Sequence, residues 1–90
     1  MYCKIERSKL FLRDSLKIKL SDQYYSKFII YIGKLLSKEK LPPEAKDHQL
    51  KGNWQGYREF HISGDILVIY KIMDNTLYLI RIGTHSELFR

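Results

Sequence analysis

The strongest constraint in this chain is a change of hydrophobic period part-way along it. Between residues 25 and 36 the large apolar side chains Tyr25, Phe28, Ile29, Ile32, Leu35 and Leu36 recur every three or four positions. That spacing gathers them on one stripe of a helix. From residue 57 the spacing drops to two. Tyr57 to Ile62, Ile66 to Ile72 and Thr76 to Ile82 read as strands, parted by turns at Ser63–Gly64 and Asp74–Asn75. Strands joined by such short turns pair in sequence as an antiparallel meander, and one face of that sheet needs cover. A helix with an apolar stripe supplies it. The expected fold is α+β: two N-terminal helices packed on one face of a small, mainly antiparallel sheet. Ninety residues suffice for one core, so residues 1–90 read as a single domain.

Local signals sharpen the boundaries. Ser21 is a natural N-cap for the second helix, and Asp22 puts negative charge in its first turn, where the backbone dipole favours it. Lys38 and Lys40 suit its other end, and Pro42–Pro43 stops continuation. Upstream, Leu10, Phe11, Leu12, Leu16 and Leu20 fit a less regular helix from Ser8 to about Lys19, after a short strand over Tyr2 to Glu6. Residues 41–56 hold both prolines and two of the five glycines, and read as a long irregular connection. Connections of that length in small domains tend to carry function. The sheet face opposite the helices is expected to stay open.

Charge and cysteine usage narrow the class further. The net charge is +6, and residues 1–47 hold 11 basic against 6 acidic side chains, a balance of +5. A basic surface attracts polyanions such as nucleic acid by counterion release. The single cysteine, Cys3, cannot form an internal disulfide, and no apolar run approaches the roughly 20 residues of a spanning helix. No basic leader with a cleavage site opens the chain, so the expectation is a reduced, cytoplasmic protein with no membrane partner.

Candidate chemistry lies in the second half. His48, His61 and His85 each stand beside a loop or strand end, and imidazole both takes and gives protons near neutrality. A three-residue connection brings His61 close to Asp65, and in the proposed sheet all four residues could meet at one edge of the open face. Zinc-type spacings are missing, so no metal and no cofactor are expected. A Gly-x-Ser-x-Gly elbow and a phosphate-binding glycine loop are missing too. What fits a basic protein is acid–base chemistry on RNA, whose 2′-hydroxyl is an internal nucleophile. Arg81 is the best-placed cation for the phosphate, with a structural salt bridge as its bland alternative. Trp54, in the glycine-bounded segment Gly52–Gly56, is expected to pack beneath the loop. Phe89, next to the chain end, is a candidate for base contact.

The stretch Lys46-Asp-His48-Gln-Leu50-Lys-Gly52-Asn-Trp54-Gln-Gly56-Tyr57-Arg58-Glu-Phe-His61 is similar to the YafQ branch of the RelE/ParE toxin superfamily. So are Asp65-Ile-Leu-Val-Ile-Tyr70-Lys71 and Arg81-Ile-Gly83-Thr84-His85-Ser-Glu-Leu88-Phe89. The first half agrees only in its pattern of two helices. The resemblance implies a monomeric toxin that cuts mRNA on the ribosome at the A site and is held inactive by a cognate antitoxin. It implies that His48, His61, Asp65 and His85 are catalytic, with His85 as general acid, Asp65 or His48 as base, and His61 at the phosphate. Arg81, Phe89 and Lys51 are the expected substrate-binding residues. Ile66 follows Asp65 where a relative of this branch has tryptophan, so no stacking is expected at that position. Two alternatives remain: a non-catalytic gyrase inhibitor of the ParE type, which does not rely on such histidines, and a generic RNA-binding module.

Overall fold

In a computed structural model, which describes residues 1–89, the change of period becomes two layers. Strand β1 (Lys4–Arg7) leads into helices α1 (Lys9–Lys17) and α2 (Asp22–Leu36); then come β2 (His48–Gln49), β3 (Arg58–His61), β4 (Ile66–Met73), β5 (Thr76–Thr84) and a closing helix α3 (His85–Leu88). The five strands form one sheet in the order β1-β5-β4-β3-β2. Every neighbouring pair is antiparallel except β1 with β5.

The helix starts follow the sequence signals. The Ser8 hydroxyl accepts from the Phe11 amide, and the Ser21 hydroxyl from the Tyr24 amide. The β4–β5 hairpin turns on Asp74 and Asn75, both at positive φ (54° and 59°), the backbone a tight two-residue hairpin turn needs. Phe11, Tyr31, Ile32 and Leu35 from the helices pack on Phe60, Ile62, Val68, Tyr70, Leu77, Leu79 and Ile82 from the sheet. Each such burial is worth about 1.5–3 kcal/mol, so this layer carries most of the stability.

Helix α1 has a second task. β1 pairs only with Thr76 to Leu79, so the outer edge of β5 beyond Leu79 would be bare. Ser8 closes the gap: its amide donates to the Leu79 carbonyl and its hydroxyl to the Ile80 carbonyl, at 2.9 and 2.6 Å. Six residues further on, the Asp14 carboxylate accepts the Ile82 amide at 3.2 Å. An exposed strand edge invites foreign pairing, and here a helix blocks it.

Four expectations need correction. The first strand lies at Lys4–Arg7 rather than Tyr2–Glu6, because its register is set by β5 and not by its own alternation. The connection over residues 41–56 is less irregular than expected: it holds β2 and two single 3-10 turns, Pro43–Ala45 and Gly52–Trp54. A third helix is present. Finally, the face opposite α1 and α2 is not bare, since Leu67, Ile69 and Leu88 form a second small cluster there with Leu50, Trp54, Tyr57, Ile80 and Phe89. No helix among the described residues is long and apolar enough to cross a membrane.

Candidate active site

Strand alternation selects the face. Phe60 points into the main core, so Glu59 and His61, on either side of it, lie on the opposite face. Directly across the β2–β3 ladder from Glu59 stands His48. The Glu59 carboxylate therefore meets both rings: His61 Nε2 at 2.9 Å and His48 Nε2 at 3.6 Å. Glu59 is buried, only 4% exposed, and these rings are what make a carboxylate tolerable there. The other nitrogen of His48, Nδ1, is 2.6 Å from the Lys46 carbonyl, a hydrogen bond that orients the ring.

The loop carrying His48 is itself anchored. The hydroxyl of fully buried Tyr70 donates to Asp47 at 2.7 Å, and Arg58 Nε lies 3.2 Å from the same oxygen. Burial, reinforced by the neighbouring Asp47, raises the Tyr70 pKa well above that of an ordinary phenol. Tyr70 thus stays a neutral donor at any physiological pH, and Asp47 is held one residue from His48.

The remaining residues stand at the same end of the sheet. His61 ends β3; Asp65, exposed in the turn after it, immediately precedes β4; and Ile66 pairs with Thr84, the residue before His85. In the next cross-strand row His61 faces Leu67 and Leu67 faces Gly83. Two strand spacings, roughly 10 Å, separate the His61 backbone from the strand that delivers His85. Leu88 rests over Gly83, where an added Cβ would meet its side chain at 3.2 Å, so glycine lets α3 sit down on the sheet. Thr84 and Glu87 cap α3 reciprocally. His85, exposed at its start, packs against the Phe89 ring at 4.8 Å, and Phe89 against Trp54 at 6.1 Å.

The three expected substrate-binding residues have contacts of their own. Arg81 is tied to α1: Nε and Nη2 donate to the two Asp14 oxygens at 2.6 and 2.9 Å. The hydrogen bond to Asp14 raises the Arg81 pKa further, so its charge is permanent, and Nε and one Nη2 donor are engaged. Lys51 is exposed ahead of the second 3-10 turn, and no contact joins it to the histidines among the described residues. Phe89 is half-buried between His85 and Trp54 rather than free at the chain end. Among the described residues no group of three His, Cys, Asp or Glu side chains is arranged to hold a metal ion.

Residues 3–90 match the family model of the bacterial toxin of type II toxin–antitoxin systems, YafQ. This chain belongs to the YafQ toxin family. An mRNA interferase toxin YafQ of Escherichia coli B/BL21-DE3 is 38% identical over 89 residues, covering 94% of each chain. The toxin in an E. coli DinJ–YafQ complex superposes with a TM-score of 0.80 at 35% identity, over 96% of this chain and 97% of that one. A metal-bound toxin from Helicobacter pylori superposes with a TM-score of 0.83 at 38% identity, over 96% and 98% of the two chains.

For this YafQ-family chain the residue that sequence reading passed over is Glu59. Its signal was present: Glu59 and His61 are two apart on a strand and so share a face. A lone charge on an alternating strand ordinarily reads as solvent-facing, and only the β2–β3 pairing reveals that two imidazoles enclose it.

Proposed function

We propose that this chain is an mRNA interferase: a metal-independent endoribonuclease that cuts mRNA in the ribosomal A site. It is the toxin of a type II pair, restrained by a cognate antitoxin and acting as a monomer. The observation that carries the reading is that His61, Asp65 and His85 stand at one end of the sheet, with Glu59 buried between His61 and the His48 ring of the neighbouring strand. The family membership and the names of the relatives support it.

In this reading the RNA 2′-hydroxyl attacks the adjacent phosphorus, and the bond from phosphorus to the 5′-oxygen breaks. Asp65 or His48 takes the 2′ proton, and His85 gives a proton to the departing 5′-oxygen. His61, held by Glu59, steadies the phosphate. Products are a 2′,3′-cyclic phosphate and a 5′-hydroxyl, so protons balance and no oxidant or added ion enters the step. Phe89, beside His85, contacts a base, and Lys51 meets the backbone outside the reacting centre. Arg81, held on Asp14 through two of its donors, is the permanent cation that meets the RNA backbone from the strand that presents His85.

Transcripts translated in the presence of the chain are expected to carry new 5′ ends at fixed codon positions, while the same RNA free of ribosomes stays whole. A chelator selective for transition metals, which leaves the ribosome its magnesium, should change nothing. Equal cutting of free RNA, or loss of cutting with the chelator, would refute the respective part of the reading. Glu59→Gln keeps shape but removes charge between two rings. Misplacing a reacting group slightly costs about 100-fold, so kcat on ribosome-bound transcript is expected to fall about that far while KM and melting temperature hold. An unchanged kcat removes Glu59 from the site.

A further inference from the structure

One lysine in the middle of the sheet has no counter-ion. Lys71 follows Ile69 by two residues on β4 and so shares the face of Ile69 and its partner Glu59. Its ammonium lies 5.2 Å from the centre of the Tyr57 ring and 5.7 Å from that of Tyr78. Two ring faces position a cation, yet among the described residues no carboxylate pairs with it. The nearby acids have other partners. Glu6, in register with Tyr78, holds Lys4 at 2.9 Å; Asp47 holds Arg58; Glu59 meets His48 and His61.

Beside Lys71 opens a groove of about 390 Å³. Gln49, Leu50, Gln55, Tyr57, Arg58 and Lys71 line it, and none of its lining side chains is acidic. Arg58 Nε is engaged by Asp47, which leaves Lys71 as the groove's cation without a carboxylate. Gln49 and Gln55 are exposed. Each amide offers a donor and an acceptor, the combination that reads the edge of an unpaired base.

The groove continues the site described above. Gln49 follows His48 directly, and Tyr57 precedes Glu59 by two residues. A line of rings joins the two regions: Tyr57 to Trp54 at 5.4 Å, Trp54 to Phe89 at 6.1 Å, and Phe89 to His85 at 4.8 Å. Lys71 is four residues along β4 from Leu67, which faces His61, or roughly 13 Å. That distance is too great for the phosphate being cut and suits a neighbouring one.

We propose that this groove is a subsite for a nucleotide flanking the cut, with its phosphate on Lys71 and its base edge on Gln49 and Gln55. Lys71 binds, and the two amides select. The proposal rests on the nuclease reading above and deepens it, by placing the transcript outside the reacting centre.

Lys71→Met keeps the stem between the rings and removes the charge. On ribosome-bound transcript its KM is expected to rise about 10-fold, with kcat and melting temperature unchanged. Transcripts carrying one uncharged methylphosphonate linkage, on a 2′-O-methyl nucleotide, at each flanking position in turn identify the phosphate. One such linkage should raise the wild-type KM about 10-fold and leave that of Lys71→Met where it was. Gln55→Ala should relax preference at a single flanking nucleotide about 10-fold, read as new cut positions in mapped 5′ ends. A wild-type KM for Lys71→Met, no flanking linkage that affects the wild type, or an unchanged cut map for Gln55→Ala would each overturn the proposal. So would a Lys71→Met effect undiminished on every modified transcript, as contact with ribosomal RNA would give. A wild-type chain that cuts no ribosome-bound transcript would instead defeat the nuclease reading itself.

Discussion

Replacing His85 by alanine is expected to reduce cleavage of ribosome-bound mRNA by about 1,000-fold, within the range seen for a positioned general acid. The reason is leaving-group chemistry: an alkoxide expelled without a proton is a poor leaving group, whereas protonation by a nearby imidazole removes that barrier. His85 sits at the start of α3 and is exposed, and it touches the Phe89 ring. Its removal costs little packing, and Leu88 still fixes α3 on Leu67 and Ile69. The variant should therefore melt where the wild type does and still bind the antitoxin. Single-turnover cleavage alongside a thermal melt separates loss of chemistry from loss of fold. A variant that cuts at the wild-type rate would remove His85 from the acid's role.

The second large effect concerns stability. Asp14→Ala is expected to cost about 3 kcal/mol, because it strands a partly buried guanidinium and the Ile82 amide together. The Asp14 and Arg81 side chains are 10% and 19% exposed, so water repairs little of the loss. For a chain of this length the melting temperature should fall by roughly 15 °C. The pH dependence has a defined sign. Burial works against the charged form of Asp14, yet the hydrogen bonds from Arg81 and the Ile82 amide outweigh it and hold the carboxyl pKa below its usual value. A depressed folded-state pKa gives stability that is present above the unfolded value, near pH 4, and lost as pH falls through the folded value. Urea unfolding at neutral and acid pH checks both statements. A loss under about 1 kcal/mol, as for an ordinary surface pair, would contradict this account.

Local signals carried the fold far. The stripe from Tyr25 to Leu36 and the alternation after Tyr57 depend only on side chains near in sequence, and the Ser21 cap and the Asp74–Asn75 turn are likewise local. What stayed hidden needs partners distant along the chain. β2 is two residues long and is a strand only because β3 lies beside it. Arg81 and Asp14 are 67 positions apart, so no local pattern joins them. The four-residue α3 is an exception, since Thr84 and Glu87 already spell its capping box in the sequence. The histidines were legible as residue types; that Glu59 links His48 to His61 follows from sheet register alone. The structure brings Arg81 to α1 rather than freeing it, so the bland alternative describes its contacts.

Chemistry at the cut ends tests the central claim most directly. If imidazole and carboxylate groups drive the 2′-oxygen onto phosphorus, the upstream fragment from ribosome-bound mRNA must end in a 2′,3′-cyclic phosphate or its opened phosphate, and the downstream fragment must begin with a 5′-hydroxyl. Ligation-based end analysis distinguishes these from a free 3′-hydroxyl and a 5′-phosphate. Finding the latter pair would mean that water, not the 2′-hydroxyl, was the nucleophile, and the account given for His48, His61, Asp65 and His85 would be wrong.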